Sequence, residues 1–147
     1  MNLRDWLKNG WLIEHSTSSE EIGDLFDAAD RDLTDCKVSE LSPDWRLHIA
    51  YNAALLLTTV ALAASGYRTT RESHHYRLIQ SLAHTIGADS TTIKRFDAFR
   101  KKRNISGYER TGVISDHEVG EMIELATQLR DDVVKWLQSK YPQFLQK

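Results

Sequence analysis

Ser42-Pro43-Asp44-Trp45-Arg46-Leu47-His48-Ile49-Ala50-Tyr51-Asn52-Ala53-Ala54-Leu55-Leu56-Leu57-Thr58-Thr59-Val60-Ala61-Leu62-Ala63-Ala64-Ser65-Gly66 is the stretch on which the fold turns. Ser42 has the side chain of a helix N-cap, and Pro43 suits the first helical position, where its missing N–H has no helical partner to lose. Gly66 can take the left-handed conformation that ends a helix. One long helix is therefore expected from Pro43 to Ser65. Ala50, Ala53, Ala54, Leu57, Ala61 and Ala64 put small residues on one face, which lets other helices approach closely. The most apolar part, Ala53 to Ala64, is interrupted by Thr58 and Thr59 and falls short of the ~20 residues that cross a bilayer. A buried core helix is expected, with no membrane span.

On the N-terminal side, Leu3, Trp6, Leu7, Trp11 and Leu12 suggest a short helix loosened at Gly10, and His15-Ser16-Thr17-Ser18 ends it. Ser18 and Glu21 have capping-box spacing, opening a second helix from Ser19 to Cys36. Its apolar face is Ile22, Leu25, Phe26, Ala29 and Leu33; Glu20, Asp24, Asp27, Asp30 and Asp35 form a face read as solvated. On the C-terminal side, Tyr67 to Glu72 reads as a linker with Arg68 and Arg71, followed by a helix from Ser73 to Ile86, stopped by Gly87. Asp89 or Ser90 caps a further helix ending near Ser106-Gly107, and Tyr108 to Ile114 is a loop containing Gly112. Ser115 with Glu118 is a second capping box. It opens a long helix with a stripe of Val119, Met122, Ile123, Ala126, Leu129, Val133, Trp136 and Leu137. Pro142 closes the regular structure. The expected fold is all-α: an up-and-down antiparallel bundle of five or six helices with an extra N-terminal helix, in one domain spanning 1–147. No strand alternation is apparent.

Composition narrows the function classes. The 147 residues carry a formal net charge of -2, with 41% hydrophobic residues and two prolines, which suits a compact chain and excludes a disordered one. Arg4, Asp5 and Lys8 among the first apolar residues do not make a signal peptide, and the single cysteine, Cys36, has no internal disulfide partner. A cytoplasmic protein is expected. Six histidines raise the question of a metal. His74 and His75 are adjacent, so on a helix they point about 100° apart. His15, His48, His84 and His117 lack acidic or cysteine partners at ligand spacing, and HExxH is absent. No metal and no cofactor is expected. Neither GxSxG nor a glycine-rich phosphate loop occurs.

What stands out is charge. Between Lys94 and Arg110 lie seven basic residues (Lys94, Arg95, Arg100, Lys101, Lys102, Arg103, Arg110) against Asp97 and Glu109, a sharply basic segment in an acidic chain. Such a segment is either a solvated helix face or a footprint for phosphate. Arg100 and Arg103 are three apart and so neighbours on one face, and Lys101 and Lys102 flank them. Arginine can grip phosphate in a forked, bidentate manner and keeps its charge. Asn104 adds an amide and Tyr108 a hydroxyl and a ring on which a base could stack. Arg100, Lys101, Lys102 and Arg110 are the candidate RNA-binding residues; Arg103, Asn104 and Tyr108 are the candidate catalytic group.

From about 44 to 137 the chain resembles the HEPN domains of bacteria and archaea. The resemblance rests on Tyr51-Asn52-Ala53-Ala54-Leu55, Ala64-Ser65-Gly66-Tyr67-Arg68, Ser73-His74-His75, and Arg103-Asn104 with Gly107-Tyr108 before the last long helix. It makes 1–41 an N-terminal helical extension. The resemblance implies an antiparallel helical bundle that forms a homodimer, with arginine motifs meeting in a cleft between protomers. Many members are metal-independent endoribonucleases, often toxins paired with a nucleotidyltransferase-like antitoxin. The catalytic motif is an arginine, a polar residue, a short spacer and a histidine. Counted from Arg103, the histidine position holds Tyr108, whose ordinary pKa of about 10 makes it a poor general base at neutral pH. Arg68 with His74, Arg77 with His84, and Arg110 with His117 also satisfy the spacing; the last pair is nearest the right place, and His117 is the reserve candidate. Two functions stay open: an RNA-cleaving toxin-like enzyme, or a catalytically degenerate module binding nucleotide, RNA or a partner protein.

Overall fold

The computed structural model describes residues 1–71, 74–108 and 114–145, the side chains of 105–108 apart. Six α-helices are present in it: α1 (Leu3–Lys8), α2 (Ser19–Asp35), α3 (Pro43–Ala64), α4 (His74–Gln80), α5 (Ser90–Tyr108) and α6 (Asp116–Lys140). The protein is mostly helical. Ser42 caps α3 as its sequence requires, its hydroxyl accepting the Trp45 N–H at 3.2 Å, and Gly66 leaves the helix with φ of 99°. Ala50, Ala53, Ala54, Leu57, Ala61 and Ala64 are all buried, and α3 packs chiefly against α2 and α6. By length and composition α3 could span a bilayer, but 72% of its most apolar window is buried inside the protein, where a core helix belongs. Arg46 donates to the Cys36 carbonyl at 2.8 Å and Asn52 to Asp32 at 2.8 Å; positions rising along α3 meet positions falling along α2, so the two run antiparallel.

The helix starts reveal which sequence signals survive tertiary competition. Ser115 and Glu118 form the full reciprocal box that opens α6. At α2 only half of the box forms. Ser18 accepts the Glu21 N–H at 3.1 Å, but the Glu21 carboxylate oxygen Oε1 instead accepts from Thr17 Oγ1 and meets His15 Nε2, both at 2.7 Å. The Thr17 bond, then His15, hold the Glu21 carboxyl below its usual range. The acidic face of α2 is also not simply solvated. Asp30 takes a forked contact from Arg130 of α6, at 2.5 and 3.1 Å.

Three segments differ from the sequence expectation. Leu12 leaves the first helix, and Leu12–Glu14 (β1) pairs antiparallel with Tyr67–Thr69 (β2), Leu12 opposite Thr69 and Glu14 opposite Tyr67. Three-residue strands are too short to display alternation, and only the partner 55 positions away supplies their hydrogen bonds. The expected linker is thus partly a strand, paired with β1 and packed against α3 and α4. The helix expected to reach Ile86 stops at Gln80 and continues as a 3-10 turn, Ser81–Ala83. The buried Ser81 hydroxyl donates to the Leu78 carbonyl at 2.6 Å, competing with the helical ladder. Beyond α6, Pro142–Leu145 forms one more 3-10 turn. Glu72, Ser73 and Gly112 lie outside the described residues.

Candidate functional site: an arginine–histidine recess

Helix α5 reaches the core through Phe96, which is fully buried and meets the Tyr51 ring edge-on, with centroids 5.6 Å apart. Arg100 and Arg103 follow Phe96 at i+4 and i+7, so they continue its inward stripe rather than the solvent face. The apolar stripe of α5 becomes an arginine stripe just where the helix leaves the core. The Arg103 guanidinium lies over the Tyr51 ring, 5.1 Å from its centroid. Arg100 lies 5.5 Å from the Tyr76 ring and its Nε donates to Asp97 at 2.6 Å. Asn104, one position beyond Arg103, is exposed. Arg100 and Asn104 join His74, His75 and Tyr76 in lining an open recess of about 360 Å³.

The neighbouring groups register this positive charge. His75 is half-buried, its Nδ1 3.4 Å from the Tyr51 hydroxyl. Burial, then Arg103, His74 and Arg100, push its pKa below the ordinary histidine value. His48, one helical turn before Tyr51, is depressed by burial and then by Arg103, against an upward pull from Asp44. Burial raises the Tyr51 phenol well above its usual range, so it keeps its proton. The ring of His74 lies 5.3 Å from that of His75, and its Nδ1 is hydrogen-bonded to the Thr69 side chain of β2. Two cations, two imidazoles biased towards the neutral form and a protonated phenol thus meet between α3, α4 and α5. That set can hold an anion and accept a proton near neutral pH.

The expected site residues separate into groups. Arg100 and Asn104 line the recess, and Arg103 lies beside it over the Tyr51 ring. Lys101 and Lys102 do not: they line a different hollow with Phe99, Glu118 and Glu121. The Lys101 side chain is 67% exposed and 3.6 Å from Asp97, while Lys102 is paired with Glu118 at the start of α6. Adjacent residues on a helix diverge by about 100°, which explains the division. The backbone of Tyr108 ends α5, its side chain lies outside the described part, and Arg110 lies outside it altogether. His117 is an exposed residue in the first turn of α6, its Nε2 3.5 Å from Glu121. His75 and His48 stand outside the expected catalytic and RNA-binding groups, although Ser73-His74-His75 is among the segments that carry the resemblance. His48 sits three residues before Tyr51 on α3, a usable signal, but His75 reaches the arginines only through the chain reversal at β2. Among the described residues, no group of three or more histidine, cysteine, aspartate or glutamate side chains could hold a metal. Cys36 is buried, its thiol donates to the Leu33 carbonyl at 3.3 Å, and burial raises its pKa. No family model matches the chain, and neither a curated protein nor a solved structure matches it.

Proposed function

We propose that this chain is a HEPN-like RNA-binding protein whose arginine–histidine recess cleaves RNA without a metal. The observation that supports it is the convergence of Arg100 and Arg103 upon His75, a half-buried imidazole kept neutral near physiological pH by burial and by those same cations. His75 supplies the titratable group that Tyr108 cannot. In the tautomer that gives Nδ1–H to the Tyr51 oxygen, Nε2 of His75 keeps its lone pair for the recess, and this is the tautomer the reaction requires. That nitrogen takes the proton from a ribose 2′-hydroxyl. The 2′-oxygen attacks the adjacent phosphorus, and the bond from phosphorus to the 5′-oxygen breaks. Water protonates the departing 5′-oxygen and His75 returns its proton to solvent, leaving a 2′,3′-cyclic phosphate and a 5′-hydroxyl. Arg103 and Arg100 stabilise the charge gathering on the phosphoryl oxygens, an effect worth several kcal/mol in preorganised sites, roughly 2.7–4 per donor. From the resemblance follow a homodimer and a nucleotidyltransferase-like antitoxin as partner, and the lone reduced Cys36 supports a cytoplasmic setting.

A second reading has one feature in its favour: Tyr108 stands where the resemblance calls for histidine. In that case the recess binds RNA, nucleotide or a partner protein and does not cut. Labelled RNA incubated in excess chelator separates the two. We expect cleavage by the wild-type protein, loss in Arg103→Ala, and loss with retained binding in His75→Gln. Cleavage that survives His75→Gln and disappears in His117→Ala would move the motif to Arg110 and His117. Binding without cleavage leaves the second reading, and absence of RNA binding removes the first and confines the second to nucleotide or a partner protein.

A further inference from the structure

His74 lines two hollows: the recess already described and a separate cleft of about 300 Å³ bounded by α2, α3, β2 and α4. Among the described residues the two hollows share no other side chain. The floor of the cleft is apolar. Leu62 and Ala63 of α3 and Leu78 of α4 form it, all buried, with the partly buried Leu25 of α2 beside them. A hollow of this size with an apolar floor and a few polar groups on its walls suits a small organic molecule.

Most of those polar groups are already engaged. Thr59 Oγ1 donates to the Leu55 carbonyl at 2.8 Å, and the Thr69 side chain is bonded to His74 Nδ1. Arg68 borders the cleft from β2, but successive strand residues face opposite ways. Tyr67 and Thr69 take the more buried side, and Arg68 is exposed. Glu21 differs from all of these. Its place in the capping box offers it the Ser18 N–H, yet its carboxylate is held instead by Thr17 and His15, both at 2.7 Å. Both contacts fall on Oε1. Among the described residues no donor meets Oε2, and the side chain is 41% exposed. The Thr17 bond, then His15, keep this carboxyl ionised well into mild acid. A helix start that forgoes half of its capping box to fix a carboxylate beside a cleft departs from the folding pattern, as functional sites do.

We propose that this cleft binds a small primary amine with an apolar body, its ammonium on Glu21 Oε2 and its hydrocarbon over Leu62, Ala63 and Leu78. The class follows from charge. An anion would meet Glu21 as a like charge, and a neutral molecule would forgo the stronger, charge-assisted contact. An ammonium has three donors; one reaches Oε2, and the exposure of Glu21 lets water take the others. This goes beyond the RNA reading and does not rest on it.

The test titrates the full chain with three probes of nearly one shape: benzylamine, benzyl alcohol and benzoate. Histidine ring-proton NMR reports where they bind. The His15 and His74 resonances should shift saturably with benzylamine, while His117, which does not line the cleft, should stay in place. Benzylamine should bind roughly five- to tenfold tighter than benzyl alcohol, between the weight of an exposed ion pair and that of a buried charged hydrogen bond. Glu21→Gln keeps the side chain's shape and should bring benzylamine down to the affinity of the alcohol, which itself should not change. Circular dichroism checks that this variant folds, and the comparison of probes on the wild-type chain stands without it. Equal affinity for amine and alcohol would overturn the inference, as would undiminished amine binding in Glu21→Gln. Tightest binding of benzoate would overturn it as well, because Arg68 would then set the charge of the ligand. Absence of any shift at His15 and His74 would show that the cleft takes no such molecule.

Discussion

Replacing Arg103 by alanine should raise the pKa of both His75 and His48, while Arg100→Ala should raise only that of His75. The asymmetry follows from position. Arg103 acts on both imidazoles, and Arg100 acts on His75 but is not among the charges that depress His48. The Arg103 guanidinium is 5.1 Å from the Tyr51 ring centre, which is 5.9 Å from that of His75, so the two distances end to end bound the separation at about 11 Å. Like unit charges about 11 Å apart repel by roughly 0.4 kcal/mol in water and roughly 1.5 kcal/mol at an effective dielectric constant near 20. Removing that repulsion favours the imidazolium, so the titration moves upward. The burial contribution remains, so both histidines stay below their ordinary value even in the variant. Histidine ring-proton NMR titrations measure this directly, with His75→Gln and His48→Gln assigning the two resonances. Low ionic strength is needed, because the screening length is only about 10 Å at 0.1 M salt. If neither resonance moves in Arg103→Ala, Arg103 does not sit above Tyr51 and the recess is wrongly assembled. A shift of His48 in Arg100→Ala as large as that of His75 would refute the placement of Arg100.

The same histidines set a pH dependence of stability. Their folded pKa values are depressed, so below the ordinary value of about 6.5 the unfolded chain binds protons that the folded chain refuses. Stability should be at its full value above that pH and fall as pH drops through the folded values; urea midpoints between pH 7.5 and 5 should show this, flattened in the His48→Gln/His75→Gln double variant. Phe96→Ala should cost about 3–5 kcal/mol, since a fully buried phenyl that meets Tyr51 edge-on leaves a cavity. Chemical denaturation giving under about 1 kcal/mol would mean that α5 is not docked as described.

Much of the helical framework is legible because its signals are local. Ser42-Pro43 and Gly66 bound α3 to within one residue, and Ser115 with Glu118 opens α6 where their spacing says. The stripe named for α6 is buried at Val119, Met122, Ala126, Leu129, Val133 and Leu137. What fails is whatever depends on a distant partner. The Glu21 carboxylate had a local use in its capping box and a better one with Thr17 and His15. The pairing of β1 with β2 has no trace in either segment taken alone. His75 likewise looks like an ordinary residue at a helix start until β2 and α4 turn it back on Tyr51. Arg100 and Arg103 were legible as a pair, and their inward direction could have been read as well, from the spacing back to Phe96.

Net charge alone gives a poor account of the basic segment, because its cations have different partners. A solvated helix face explains Lys101, which is mostly exposed, and Lys102, which is tied to Glu118 beside a capping box. It does not explain Arg100, whose side chain is only 21% exposed although Asp97 is beside it, or Arg103, held half-buried over Tyr51. A cation on a solvated face gains nothing from being drawn towards the core, where desolvation penalises it. Here two are drawn in together, and their field falls on imidazoles that burial has already biased towards neutrality. Stability alone would favour apolar residues at these positions, continuing the stripe that Phe96 begins. The arginines disrupt that stripe where α3, α4 and α5 converge, and local departures from the folding pattern of this kind concentrate at functional sites. A bound phosphate would reverse the sign of the balance: it offsets the repulsion between the guanidinium groups, raises the proton affinity of His75, and gives both arginines a forked partner that their geometry fits.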